Sequence, residues 1–279
     1  MMARDTSFYY SFLVLPAEQR DAIVAVWDFC RAVDDAADEA RPGEEEREVA
    51  RWRDELARCY DGRAPETPQG HALKPLIPQF RLPRSAFDAL IEGVEMDLHP
   101  RRYATFAELY EYCIRVASAV GLLCVEIFGC RDPGSRQFAI ELGVALQLTN
   151  ILRDVPGDFA RGRVYIPQED FARFECTEPD LAEEIARAGG GVRSDAIRGL
   201  LAFQAARARD YYARAAAALP RADARRLVAA RIMGAIYRGI LSRIERADYD
   251  VFTRVIRVPR PERALIAFGL WTRAVLIGR

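Results

Sequence analysis

The stretch SRQFAIELGVALQLTNILRDV, Ser135 to Val155, constrains the chain more than any other. Leu142, Val144, Leu146, Leu148, Ile151 and Leu152 make it an apolar helix, too long for a strand. Yet Gln147, Asn150 and Asp154 ride on the same segment. Polar groups on an apolar helix are costly unless something pairs with them. Helical recurrence also runs through PAEQRDAIVAVWDFCRAVDDAADEA, RPGEEEREVARWRDELARCYDG, RSAFDALIEGVEMDL and TFAELYEYCIRVASAVGLLCVEIFG. It returns in TEPDLAEEIARAG, SDAIRGLLAFQAARARDYYARAAAAL and ARRLVAARIMGAIYRGILSRIERAD. Alternating strand patterns are nearly absent, so the expected fold is all-α, one domain over residues 1–279. Thr105 and Glu108 predict a capping box. Pro156 and Gly157 predict the end of the long helix, and RGRVYIP a short extended loop. AGGGVRS is the most flexible connection and does not read as a domain boundary.

A net charge of −1 provides no global field for nucleic acid, so no such partner is expected. Six cysteines lie scattered, without metal-ligand spacing or a disulfide framework. The N-terminus lacks the layout of a signal peptide, and no apolar run reaches the ~18 residues of a membrane span. A soluble, cytoplasmic protein is expected. His71 and His99 sit in proline-containing turns and carry no assigned role.

Two acidic clusters carry the chemistry. In FCRAVDDAADEA, Asp34 and Asp38 are four apart and share a helix face, while Asp35 is turned about 100° away. Taken alone, this pattern describes a solvated helix end. The second cluster is QLTNILRDVPGDFARGR, with Asn150, Asp154 and Asp158 at i, i+4 and i+8 and Gln147 one turn earlier. The expected break at Pro156 puts strict i+8 geometry at risk. Two helices that each present a carboxylate pair across a bundle interior suit Mg²⁺, which takes carboxylates, water and substrate phosphate. Carboxylates alone would repel a diphosphate, so the metal must bridge, with Arg31 and Arg153 adding counter-charge.

In order and spacing, SFYYSFLVLP, VWDFCRAVDDAADE, YCIRVASAVG and QLTNILRDVPGDFARGRVYIP resemble the squalene/phytoene synthase family, over nearly the whole chain. The resemblance implies the isoprenoid synthase fold, a helical bundle around a central apolar channel. It implies a first Mg²⁺-binding pair at Asp34 and Asp38, and a second at Asp154 and Asp158 with Asn150 beside it, together holding two or three ions. Gln147, Arg153 and Arg31 then fall around the diphosphates, and Ser7 helps hold one substrate. Trp27 lines the site, with Phe8 and Tyr9 as further aromatic faces for a cation. Tyr165 follows the second motif, and Tyr237 stands near the second diphosphate. The chain departs from the family where Arg115 replaces the usual tyrosine of YCIRVASAVG, and Ser118 replaces a glycine. Tyr112, one turn earlier, is the substitute catalytic tyrosine.

The implied activity is Mg²⁺-dependent, head-to-head condensation of two farnesyl diphosphates to presqualene diphosphate, as in the bacterial hopanoid-pathway members. NADPH is not expected for this first half-reaction. Full squalene synthesis with NADPH, joining of geranylgeranyl diphosphates, and a non-catalytic assembly role are the alternatives; both complete acid motifs argue against the last. ALIAFGLWTRAVLIGR reads as a final core helix from its amphipathic pattern. A weak membrane-surface contact, placing the enzyme at the periphery of the inner membrane, is the alternative that a lipid product would suit.

Overall fold

The computed structural model describes residues 9–99, 101–187 and 194–276. Ser7 and Phe8 lie outside the described residues, as does the side chain of Tyr9. Helices dominate, and among the described residues there is no strand, only an isolated parallel bridge between Arg102 and Val164.

The helices, in chain order, begin with α1 (Tyr9–Phe12), α2 (Ala17–Asp38), α3 (Glu45–Tyr60), α4 (Pro68–Leu73), α5 (Leu76–Phe80) and α6 (Arg84–Glu95). Next come α7 (Phe106–Cys113) and α8 (Ala119–Ile127), joined without a break by a π turn over Ile114–Ser118. The remainder are α9 (Gly134–Ala160), α10 (Gln168–Arg173), α11 (Glu178–Ala186), α12 (Asp195–Ala218), α13 (Val228–Arg246) and α14 (Arg260–Leu276).

The long apolar segment is α9, the axis of the bundle. It packs against α8, the π turn, α12 and α13. Its buried face, including Phe138, Leu142, Val144, Ile151 and Leu152, belongs to one continuous core. Contrary to the expectation, α9 does not end at Pro156 but runs through it to Ala160. A proline removes one backbone bond. Here it falls in the last turns, where burial of Ile151, Leu152 and Val155 holds the helix to its course. The i, i+4, i+8 alignment of Asn150, Asp154 and Asp158 is therefore kept.

Close backbone approaches set the spacing around the π turn. A Cβ on Gly143 would lie 2.6 Å from the Cα of Ser118, and one on Gly93 of α6 would lie 2.6 Å from Val116 Cγ1. Glycine at both positions lets α6 and α9 grip the turn from two sides. Ser118, fully buried, satisfies its hydroxyl by donating to the Ile140 carbonyl (2.9 Å).

Thr105 caps α7 as expected, but the Glu108 half of the box does not close. Thr105 Oγ1 accepts from the Glu108 N–H (3.4 Å), but Glu108 reaches past its partner to the Ala104 N–H (2.8 Å). The reciprocal capping box forms instead at Thr177 and Asp180 of α11. The RGRVYIP loop is pinned beside residues 102–104 by the Arg102–Val164 bridge and by bonds from Gln168 N–H to Tyr103 O and Glu169 N–H to Ala104 O. That pinning aims Arg163 and Tyr165 inward.

The final helix is a core helix only in part. Packed on α13 and α1, α14 buries Arg263, Ala267 and Ala274 and packs Ile266 and Leu270 half-buried against the core, while Leu265, Phe268, Trp271, Val275 and Leu276 face outward. The six cysteines are free thiols, four of them buried, which agrees with the absence of a disulfide framework in the sequence.

Candidate active site

Two cavities meet at the centre of the bundle. A polar chamber of about 350 Å³ is walled by Asp34 and Asp38 of α2, Asn150, Arg153, Asp154 and Asp158 of α9, Tyr112 of α7, and Arg161, Arg163 and Tyr165 of the loop after α9. An apolar channel of about 410 Å³ runs from it between α2, α6, α8, α9 and α13, lined by Phe12, Val26, Leu90, Val120, Phe138, Leu142 and Met233 among others. Asp34, Val116, Gln147 and Asn150 line both, so each space opens on the other there. The two acidic clusters, more than a hundred residues apart in sequence, thus face a common chamber.

The chamber holds five carboxylates, counting Asp97, against three guanidiniums, Arg153, Arg161 and Arg163. Its charge is short on the positive side. Burial, and then the neighbouring Asp38, Asp35 and Asp97, push the Asp34 carboxyl from 3.8 up to about 7, with Arg163 partly offsetting them. Asp34 is open to cavity water, but protein surrounds it on most sides. Burial and the adjacent Asp154 push Asp158 up to about 7 as well.

Arg163 is the cation that links the walls. Its guanidinium contacts Asp38 Oδ1 at 2.7 Å. Burial works against its charge, but the bond to Asp38 outweighs that and holds it protonated. Arg153 pairs with Asp154, and Arg153 and Asn150 both hydrogen-bond the Tyr237 hydroxyl.

Asp97, just past the end of α6, is a residue of the chamber wall that the sequence does not single out. The Tyr112 hydroxyl donates to Asp97 Oδ2 (2.7 Å) and the Tyr165 hydroxyl to Oδ1 (2.9 Å). The two rings stack at 5.0 Å between centroids, and Tyr103 stacks on Tyr165 at 6.2 Å. Burial raises the Asp97 carboxyl, although the Tyr112 bond, Arg163 and the Tyr165 bond oppose it. Burial and then Asp97 raise both phenols well above their ordinary value, so they stay neutral. The Tyr112 hydroxyl also approaches the Tyr165 oxygen, at 3.3 Å, so the three groups form one hydrogen-bonded trio.

The other expected residues fall as follows. Trp27, Arg31, Gln147, Asn150 and Tyr237 line the channel, and Arg31 contacts Asp35 at 3.4 Å there. Arg115, the departure from the family pattern, lines neither cavity and pairs with Glu111 (2.9 Å) and Glu92 (3.6 Å). Tyr112, in contrast, stands in the chamber wall, where the sequence reading put its substitute tyrosine. Arg161 and Arg163 went unassigned although they lie within the recognised ARGRVYIP segment; their alternation with a glycine was the available signal.

The donor set fits Mg²⁺. Asn150 Oδ1 is buried with no hydrogen-bond partner, and Asp34 and Asp158, unlike the arginine-paired Asp38 and Asp154, are pushed up by burial and by neighbouring carboxylates. Among the described residues no three His, Cys, Asp or Glu side chains converge into a protein-only cage. Facing pairs that leave room for water and phosphate are the arrangement Mg²⁺ uses.

Similarity to known proteins agrees with this geometry. The chain is 38% identical to a 15-cis-phytoene synthase of Synechococcus elongatus, over 91% of this chain and 84% of that one. It is 39% identical to a presqualene diphosphate synthase of Rhodopseudomonas palustris, over 86% of this chain and 84% of that one. A dehydrosqualene synthase crystal structure superposes with a TM-score of 0.84 at 25% identity, covering 99% of this chain and 93% of the other. A squalene synthase from Alicyclobacillus acidocaldarius superposes with a TM-score of 0.76 at 30% identity, covering 87% and 89%. The family model for squalene/phytoene synthase matches residues 1–263, and the chain belongs to that family.

Proposed function

We propose that the protein condenses two farnesyl diphosphates head to head into presqualene diphosphate and diphosphate, as the first committed step towards squalene or hopanoids. The observation that carries the reading is the junction at Asp34, Val116, Gln147 and Asn150, where a chamber for a charged head opens onto a channel for an apolar tail. Prenyl diphosphates have that shape and polarity.

Asp34, Asp38, Asn150, Asp154 and Asp158 would hold Mg²⁺, which supplies the positive charge that draws diphosphate to the carboxylates and eases its departure. Arg153, Arg161 and Arg163 contribute fixed charge on the same wall. When the C1–O bond of the donor breaks, the electron pair leaves with diphosphate. The acceptor's 2,3 double bond attacks the allylic cation, and loss of a proton closes the cyclopropane. Tyr112 and Tyr165 present oxygen lone pairs for that proton, with Asp97 behind them as the final acceptor. The apolar lining excludes water, which would quench the cation. No nicotinamide takes part in this condensation.

A second reading, joining of geranylgeranyl diphosphates, is favoured by the phytoene synthase relative, which stands at 38% identity against 39% for the presqualene diphosphate synthase. Incubation with farnesyl or geranylgeranyl diphosphate and Mg²⁺, with and without NADPH, followed by mass spectrometry, decides. Presqualene diphosphate from farnesyl diphosphate in both tubes is expected. Squalene only with NADPH, or product only from the C20 substrate, would replace this reading. No product from either would end it.

A further inference from the structure

The outward face of α14 is the surface that the fold leaves unexplained. The exposed large apolar residues among the described residues are Leu13, Val255, Leu265, Phe268, Trp271, Val275 and Leu276. Five of the seven belong to α14. Leu265 is 70% exposed, Phe268 63% and Leu276 80%, values usual for lysine rather than for core-forming side chains. At 100° per residue the five occupy about 140° of the helix circumference. The inner side meets the protein through Ala267, Ala274, the half-buried Ile266 and Leu270, and Arg263, whose guanidinium lies over the Tyr10 ring at 5.7 Å. The helix thus keeps only Ile266 and Leu270 of its large apolar residues against the protein and turns the other five outward. It is also held in place, since Arg243 of α13 pairs with Glu262.

Charge lies near the stripe along the chain: Arg254 and Arg257 precede α14 and Arg273 is on it. Arg254, Arg257 and Arg273 are exposed, and none pairs with a carboxylate among the described residues. We propose that the outer face of α14, with Val255 and these arginines, docks the enzyme on the surface of a bilayer containing anionic phospholipid. An apolar stripe flanked by arginine suits the headgroup boundary, where the rings enter the acyl layer and the guanidiniums meet phosphate. No helix of the described residues is long and apolar enough to cross a membrane, so the contact is peripheral. A second copy of the chain is a poorer occupant, because a two-fold contact apposes the same patch from both copies, and the unpaired charges beside this one are all positive. The placement is also apt: α14 packs on α1 and α13, whose Phe12, Met233 and Tyr237 line the apolar channel.

The test is co-sedimentation of the full-length protein with vesicles of phosphatidylcholine, alone or mixed with phosphatidylglycerol, without substrate. Binding to the mixed vesicles and little to the neutral ones is expected. The Phe268→Ser/Trp271→Ser double variant should bind on the order of tenfold more weakly or worse, from lost apolar contact. It should keep the wild-type melting temperature, since both rings are outside the core. Each of Arg254→Glu, Arg257→Glu and Arg273→Glu should weaken binding roughly fivefold or more at low salt. Failure of the wild type to pellet with either vesicle, or wild-type binding by the double variant, would overturn the proposal. So would equal affinity for neutral vesicles, or a lipid-independent dimer in light scattering that the double variant dissolves.

Discussion

Arg163 and Asp38, 125 residues apart, meet at 2.7 Å across the polar chamber and tie the loop after α9 to the end of α2. The contact places a fixed cation between two acidic clusters that would otherwise only repel. Arg163→Ala should lower kcat/KM by roughly 10- to 100-fold, the equivalent of one hydrogen bond between charged groups. The lysine variant should recover part of it. Steady-state kinetics beside an unchanged circular dichroism spectrum would show this; wild-type turnover by the alanine variant would make the pair purely structural.

Asp97 accepts a hydrogen bond from each of the two tyrosine hydroxyls, so Asp97→Asn replaces one acceptor oxygen by a donor and turns one hydroxyl around. A fall in kcat on the order of 10²-fold is expected, in the usual range for a positioned proton acceptor, with a smaller change in KM. Tyr112→Phe and Tyr165→Phe should each cost less, and together with Asp97→Asn they should be non-additive because the three form one network. The pH profile is the discriminating readout: its shape should change in Asp97→Asn, whereas a packing defect would only scale it.

Asp34 and Asp158 take up protons near pH 7 in the folded chain, against 3.8 for an unperturbed aspartate. Through that window the native state binds more protons than the unfolded chain, so metal-free stability should fall as pH rises from about 4 towards 7. Mg²⁺ competes with those protons. It should therefore raise the melting temperature more at pH 8 than at pH 5, and Asp34→Ala or Asp154→Ala should abolish most of the rise together with most turnover. A metal-induced shift independent of pH, or preserved in both variants, would count against these ligands.

Gly143→Ala places a Cβ 2.6 Å from Ser118 Cα and 2.8 Å from Ser118 N, both backbone atoms that cannot swing aside. A loss of roughly 1–3 kcal/mol is expected from overpacking, measurable by urea unfolding. Gly157→Ala, on the same helix with nothing within 4 Å of the added carbon, is the control and should be neutral or slightly stabilising.

Much of this was legible in one dimension, because α-helices write their faces into local spacing. The Asp34–Asp38 pair and the Asn150–Asp154–Asp158 series could be aligned from the 3.6-residue repeat alone. Pro156 misled because its local cost was weighed without the burial of Ile151, Leu152 and Val155 that outweighs it. Asp97 was invisible because its meaning lies in Tyr112 and Tyr165, which approach from other elements, and a lone aspartate after a helix reads as an ordinary end. The C-terminal helix was misjudged for a related reason. Apolar periodicity shows that a face exists but not which side the rest of the chain will cover, and α14 turns Ala267 and Ala274 inward and most of its large apolar side chains outward.

The π turn at Ile114–Ser118 carries one more residue per turn than the α-helices on either side of it. Five residues in this wide turn rotate the chain about as far as four in an α-helix, so deleting one there would mend the hydrogen-bond ladder and leave α8 nearly in its present orientation relative to α7. Tyr112 would stay in the chamber, and Val120, Gly121 and Cys124 in the channel wall. What such a deletion would remove is the widened backbone at Val116, which lines both spaces. A change of length by a single codon is absorbed only within this turn; in the regular helix on either side it would rotate α8 by about 100° and separate the head-group chamber from the tail channel.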